Sequence, residues 1–326
     1  MKTKIFLLSL VFILFNGALH AQDLSGIPGA FVDIGFGAKP VAMGGAFVGL
    51  ANDVNSIIWN PAGLSYIQKK QVSFTYTNQL GLIDYQYLAA ALPISKKDQS
   101  SLGFAVIASG DEAMREWTFQ SSYGRELYGF LVGASIKLRY ATFGNNKLSQ
   151  NDFALFEPDE ISDGLANQVK GDAIGFGFDV GALYKFTEKI TVGILLKDIY
   201  APLFWNSENE SAINKPKGSY DELIPFEAVF GSALNPIEQL TITADYSPAV
   251  YEDGINKFRG GVEGNLFNVL YLRGGFQQYL NDLDDEKYAL GVGLKIGDND
   301  LRFFFDYTYL LEELANTQRI SISLEF

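Results

Sequence analysis

From about residue 70 onward, apolar and polar residues alternate segment after segment, and this period of two limits the fold more than any other feature. Successive side chains of a β-strand point to opposite faces, so each such segment carries one apolar face and one largely polar face. The end of the chain shows it most clearly. Ile320, Ile322, Leu324 and Phe326 share one face, while Arg319, Ser321, Ser323 and Glu325 share the other. Just before, Leu301, Phe303, Phe305, Tyr307 and Tyr309 alternate with Arg302, Phe304, Asp306 and Thr308.

The same reading predicts strands near 70–79, 83–93, 100–109, 115–124, 129–143, 172–186 and 190–198. It continues with 223–233, 239–247, 257–265, 268–279, 287–296, 300–310 and 317–326, fourteen in all. Most come close to the ~9–11 residues that a tilted strand needs to cross a bilayer. Connections after even strands are short: Ser95 to Asp98, Thr187 to Lys189, Asn235 to Glu238 and Gly297 to Asn299. Those after odd strands include two long loops, 144–171 and 199–222, and the acidic stretch Asn281 to Glu286. Short turns on one side and longer loops on the other mark an outer-membrane β-barrel. The expected fold class is therefore all-β: a transmembrane antiparallel β-barrel of about 14 strands.

A soluble sandwich also alternates. Against it stand charged residues at inward positions of successive strands: Lys137, Arg139, Asp179, Lys197, Asp245, Arg259, Glu263 and Arg273. A barrel wets that face in a polar lumen and gives the Leu/Phe/Tyr face to lipid, its main partner. Phe143, Leu183, Leu195 and Phe304 are apolar at inward positions, suited to lining a path for a hydrophobic molecule or to packing against an internal element.

The first residues read as an export signal. Lys2 and Lys4 precede an apolar run from Ile5 to Phe15 broken only by Ser9, with cleavage expected after Ala21 despite Leu19 three positions before the cut. Localisation in the outer membrane follows. His20 leaves with this segment, and the chain has no Cys, so nucleophilic triads, zinc-thiolate sites and iron–sulfur clusters are excluded from the mature protein. Any metal site would need oxygen ligands alone. The acidic stretch Asp282 to Glu286 lacks the Gly and the spacing of a calcium loop, and reads as a solvated external loop. Asn209-Glu210-Ser211 matches a glycosylation pattern that chance explains. The formal charge of −13 becomes −15 once Lys2 and Lys4 are removed, with no basic run, which argues against nucleic-acid partners. No enzyme, cofactor or metal is expected.

Residues 22–69 break the alternation and form a separate, Gly- and Ala-rich element. Pro40 suits the first turn of a short helix carrying Val41, Phe47 and Leu50, with Asn52-Asp53 as a stop. The glycines lack the strand–loop–helix setting of a phosphate loop. Close packing of small residues inside a barrel accounts for them.

The run Gly37 to Val48, with Pro40, Gly44 and Gly45, is followed by Asp53-Val54-Asn55 and by Trp59-Asn60-Pro61-Ala62-Gly63-Leu64. Together these resemble the N-terminal signature of the PorV/PorQ family, which is similar to FadL-type long-chain fatty-acid transporters. The resemblance implies an N-terminal hatch in the lumen of a fourteen-stranded barrel, with Pro40, Gly44, Gly45, Asp53, Asn55, Trp59, Asn60, Pro61, Ala62 and Gly63 as hatch-motif residues. The terminal Phe326 with its alternate apolar residues resembles an outer-membrane insertion signal. Two roles are implied: a passive channel or binding platform for hydrophobic small molecules, or a type IX secretion component that binds secreted proteins or other secretion-system components. The domain division expected is 1–21 signal, 22–69 hatch and 70–326 barrel.

Overall fold

The structure is a computed structural model and describes residues 34–79, 81–111, 113–144, 169–209, 217–250, 254–280, 286–313 and 315–326. The export segment, loop 145–168 and the acidic residues 281–285 lie outside the described residues.

Sixteen strands form one antiparallel sheet. In chain order they are β1 (Gln71–Gln79), β2 (Ile83–Ser95), β3 (Ser100–Gly110), β4 (Met114–Leu127), β5 (Phe130–Phe143), β6 (Val169–Lys185), β7 (Ile190–Lys197) and β8 (Pro202–Asn209). Then come β9 (Lys217–Leu223), β10 (Glu227–Ile237), β11 (Leu240–Ser247), β12 (Lys257–Leu266), β13 (Leu270–Tyr279), β14 (Glu286–Gly297), β15 (Arg302–Leu311) and β16 (Thr317–Glu325). β1 pairs with β16 and β5 with β6, so the sheet closes into a barrel. Closure removes the open edges that a lipid environment cannot satisfy.

Fourteen strands make the wall, and β8 and β9 continue its seventh and eighth strands past the rim. Five steps along β6, from Val180 to Gly175, face seven along β7 and β8, from Leu196 to Leu203. The extra residues form an outward bulge at Asp198–Ala201, where Asp198 takes a φ of 51°. The long loop expected at 199–222 is thus corrected to a β-hairpin, with only 210–216 outside the described residues. The alternation rule missed it because above the membrane no apolar outward face is required. Lys217 to Asp221 are accordingly exposed.

The two rims differ as the chain pattern requires. Tight turns and the mutual backbone pair of Lys70 with Phe326 lie at one end, the turn rim. Connections from β1, β3, β5, β8, β11, β13 and β15 lie at the other, the loop rim. Outward residues such as Phe74, Phe104, Phe119, Ile136, Leu272 and Ile322 are each 44–47% exposed, part of a continuous apolar belt. Such a band cannot face water and spans a membrane of the outer-membrane type. Among the described residues no helix is long and apolar enough to cross, so crossing is by strands.

Inward charges are buried and matched. Lys137 contacts Asp179 at 2.7 Å and Asp198 at 3.0 Å, and Arg139 reaches Asp198 at 2.8 Å. Arg273 bridges Glu263 at 2.6 Å and Asp306 at 2.5 Å. Arg259 sits 3.5 Å from Glu227. A buried charge is tolerable only with such partners.

Candidate functional site

Inside this ring lies the segment 34–67. Its first helix, α1 (Ala38–Ala42), is shorter than expected, because Gly44 and Gly45 take φ values of 66° and 76° and end it before Phe47 and Leu50. Pro40 is buried within it. A second helical turn, α2 (Ser56–Trp59), runs into a 3₁₀ turn at Pro61–Tyr66.

Local chemistry fixes each turn. Asp53 accepts from the backbone and side-chain nitrogens of Asn55, both at 2.9 Å, and pairs with Lys39 at 3.0 Å. Burial pulls the Lys39 ammonium pKa down, but the charges of Asp53 and Glu263 outweigh it and the balance is raised, so Lys39 stays charged. The Asn55 carboxamide lies where a β-carbon on Gly37 would fall, 2.4 Å away. The Trp59 indole donates to the Phe36 carbonyl at 2.8 Å and meets the Phe47 ring edge-on. Asn60 is fully buried. Its nitrogen donates to the Val48 carbonyl at 2.9 Å, and its oxygen accepts from Ala62 N–H at 3.2 Å, capping the turn that Pro61 opens. A β-carbon on Gly63 would lie 1.9 Å from the Ala51 carbonyl oxygen, so only glycine fits. All the motif residues singled out in the sequence therefore come together in one plug.

The wall receives this plug in three ways. The first is backbone against backbone. Inward positions Gly133, Gly193, Gly261 and Gly275 leave room for the main chain of Pro61, Val48, Met43 and Gly44, and a β-carbon there would approach within 2.0–2.6 Å. Gly124 and Gly231 act alike toward Pro61 and Gly49, while Gly103, Gly181 and Gly291 make room for the side chains of Ile57, Asn60 and Ala42. The second is charge. The Asp245 carboxylate accepts from Phe47 N–H at 2.9 Å and Val48 N–H at 2.8 Å, and the Arg319 guanidinium donates to the Ile34 carbonyl at 2.7 Å. Hydroxyls assist: Ser321 accepts from Ala38 N–H and Thr308 donates to the Ala38 carbonyl. The third is apolar packing. Phe36, Val54, Ile57 and Leu64 pack on Tyr85, Tyr87 and Ala89.

Leu183 and Leu195, two of the apolar inward residues, pack on the plug rather than line an open path. Phe143 packs on Trp205 of the rim extension, and Phe304 stays half-buried. A space of about 20 Å³ remains beside the plug, lined by Val48, Ile58, Trp59, Leu195 and Val229, with Lys197, Glu227 and Arg259. That is room for about one water. The lumen is shut. Sequence reasoning missed the grip of Arg319 and the glycine socket; glycines at inward parity on nine strands were the available signal.

No family model matches this chain, and no curated protein sequence matches it. Solved structures do resemble its fold. The CymD monoaromatic hydrocarbon channel superposes with a TM-score of 0.58 at 16% identity, over 91% of this chain and 98% of that one. The toluene transporter TodX of Pseudomonas putida gives 0.59 at 14%, over 89% and 97%. The toluene transporter TbuX of Ralstonia pickettii gives 0.58 at 15%, over 89% and 97%. At these identities the likeness is one of fold.

Proposed function

We propose that this chain is a passive outer-membrane channel for small hydrophobic molecules, with residues 22–69 as a hatch that closes it. The carrying observation is one continuous segment, 34–67, that lies inside the ring and touches the wall through hydrogen bonds, glycine contacts and apolar packing, tied to it covalently only where the chain runs on from Ile67 into β1. Passage then needs displacement of that segment, not a change of the wall. The hydrocarbon channels share the fold over nearly the whole length of both chains, which supports hydrophobic cargo. In this reading Asn60, Pro61 and Ala62 hold the hatch shut, and Gly44, Gly45 and Gly63 let it seat.

The test uses the absence of native cysteine. Val41 of the plug and Ala289 of the wall share one buried cluster. In Val41→Cys with Ala289→Cys, oxidation is expected to stop toluene entry into reconstituted vesicles and reduction to restore it. Flux that persists through the lock would rule out the hatch; no flux in either state would rule out the channel.

The secretion role has one observation in its favour. Among the described residues β9 pairs only with β8, leaving a sheet edge open at the loop rim. Open edges of this kind take an extended segment of another protein as an added strand. Co-purification of an exported protein from the native membrane, together with absent toluene flux, would favour that reading.

A further inference from the structure

Six tight connections line the turn rim among the described residues, and two of them carry an aromatic at a central position of the reversal. Lys96-Lys97-Asp98, Thr187-Glu188-Lys189 and Asp298-Asn299-Asp300 are polar, as turns in water are. Between β4 and β5 the sequence instead reads Leu127-Tyr128-Gly129-Phe130, and between β12 and β13 it reads Leu266-Phe267-Asn268-Val269-Leu270.

The first turn is a two-residue reversal: Leu127 faces Phe130 directly across it, with Tyr128 at φ 53° and Gly129 at φ 83°. In the second, Val269 donates its N–H to the Leu266 carbonyl at 3.1 Å, so Phe267 and Asn268 form the central pair, both at φ 57°. Such turns favour Asn or Gly at both central positions. A bulky aromatic at positive φ is strained. Each turn nevertheless puts an aromatic there, and Tyr128 and Phe267 are 86% and 93% exposed. Strain kept at an exposed position points to a role outside the isolated chain.

The surroundings say what covers them. Leu127 and Leu266 are each 43% exposed and Val269 48%. Leu266 follows Val262 on the outward face of β12 with only Gly264 between, and Leu127 follows Tyr123 on that of β4 with Arg125, paired to Asp98, between. The two turns also lie nearly opposite each other: six wall strands separate them on one side and four on the other. We propose that Tyr128 and Phe267 are membrane anchors. They insert into the boundary between headgroups and acyl chains of the leaflet at the turn rim, and by gripping it at two opposed points they fix the depth and tilt of the barrel. Aromatic side chains favour that layer. Burial of each ring in it offsets the left-handed backbone.

Single cysteines at Tyr128, Phe267 and, as a polar control, Asn299 can carry spin labels in the otherwise cysteine-free chain. The probe is the purified full chain in phosphatidylethanolamine/phosphatidylglycerol vesicles. Labels at 128 and 267 are expected to be relaxed more by oxygen than by a water-soluble nickel chelate, and the label at 299 the reverse. Equal nickel access at all three positions overturns the proposal. Nickel access in pure vesicles but shielding in native membranes also overturns it, and points to a periplasmic protein instead. Because a label replaces the ring, an unlabelled variant supplies a second reading. Tyr128→Asn with Phe267→Asn relieves the backbone strain, so rings standing in water predict a higher urea midpoint in vesicles. Rings held in lipid predict a lower one, and a rise would overturn the proposal.

Discussion

Asp245 and Arg319 hold the same plug from the wall by opposite chemistry, one accepting from its amides and the other donating to its carbonyls. Asp245→Ala leaves the buried Val48 N–H without its partner, at about 1–3 kcal/mol, and Phe47 N–H with the Gly45 carbonyl alone. Hydrogen exchange at Phe47 and Val48 is therefore expected to speed up while wall amides keep their protection; equal protection would mean that the carboxylate does not hold the plug. Gly133→Ala tests the socket from the other direction. Its new β-carbon would lie 2.3 Å from the Pro61 carbonyl carbon, a backbone atom with nowhere to go. Overpacking of that sort costs about 1–3 kcal/mol, read as a lower thermal midpoint. At this scale the sequence was legible where charge met strand parity. Lys137, Arg139, Asp179, Arg259, Glu263 and Arg273 all face inward and are paired, since a charge on the lipid face is costly. The role of Arg319 stayed hidden because its partners are main-chain carbonyls, which carry no mark in sequence.

The fourteen wall strands fall within a few residues of where alternation put them, because lipid outside and polar lumen inside impose the period of two along each one. Where that condition lapses, so does the reading. β8 and β9 stand beyond the belt, and β9 shows no alternation at all. The plug escapes it too: its path is set by positive-φ glycines and by backbone contacts, not by any repeating face. The extension has its own small core, in which Leu203 and Trp205 pack on Ala141, Ala173 and Phe143. Trp205→Ala removes the largest member, and replacing a buried Trp by Ala costs about 3–5 kcal/mol. The loss is expected to stay local. Limited proteolysis should then cut within 202–223 while the wall resists, and cleavage throughout the barrel would show that the extension supports the wall.

For the molecule as a whole, the outward belt demands an amphiphile. The protein is expected to stay with the membrane fraction through alkaline washing and to leave it only with detergent; recovery in the aqueous wash would contradict the barrel. The ring is shut by β16 lying against β1, with Lys70 and Phe326 bonding each other's backbone at the turn rim. That seam joins the earliest wall strand to the latest, so no partly made ring can be complete, and β1 waits for every strand between. The plug precedes β1 in the chain yet lies within the circle, packed against strands from both halves of the wall. It must therefore be in place, or still able to enter through the mouth, when the seam meets. Assembly thus has an order written into the connectivity: a wall that zips shut before its plug has found the glycine socket would stand as an unstoppered pore, and an assembly pathway that protects the cell has to seat the plug first.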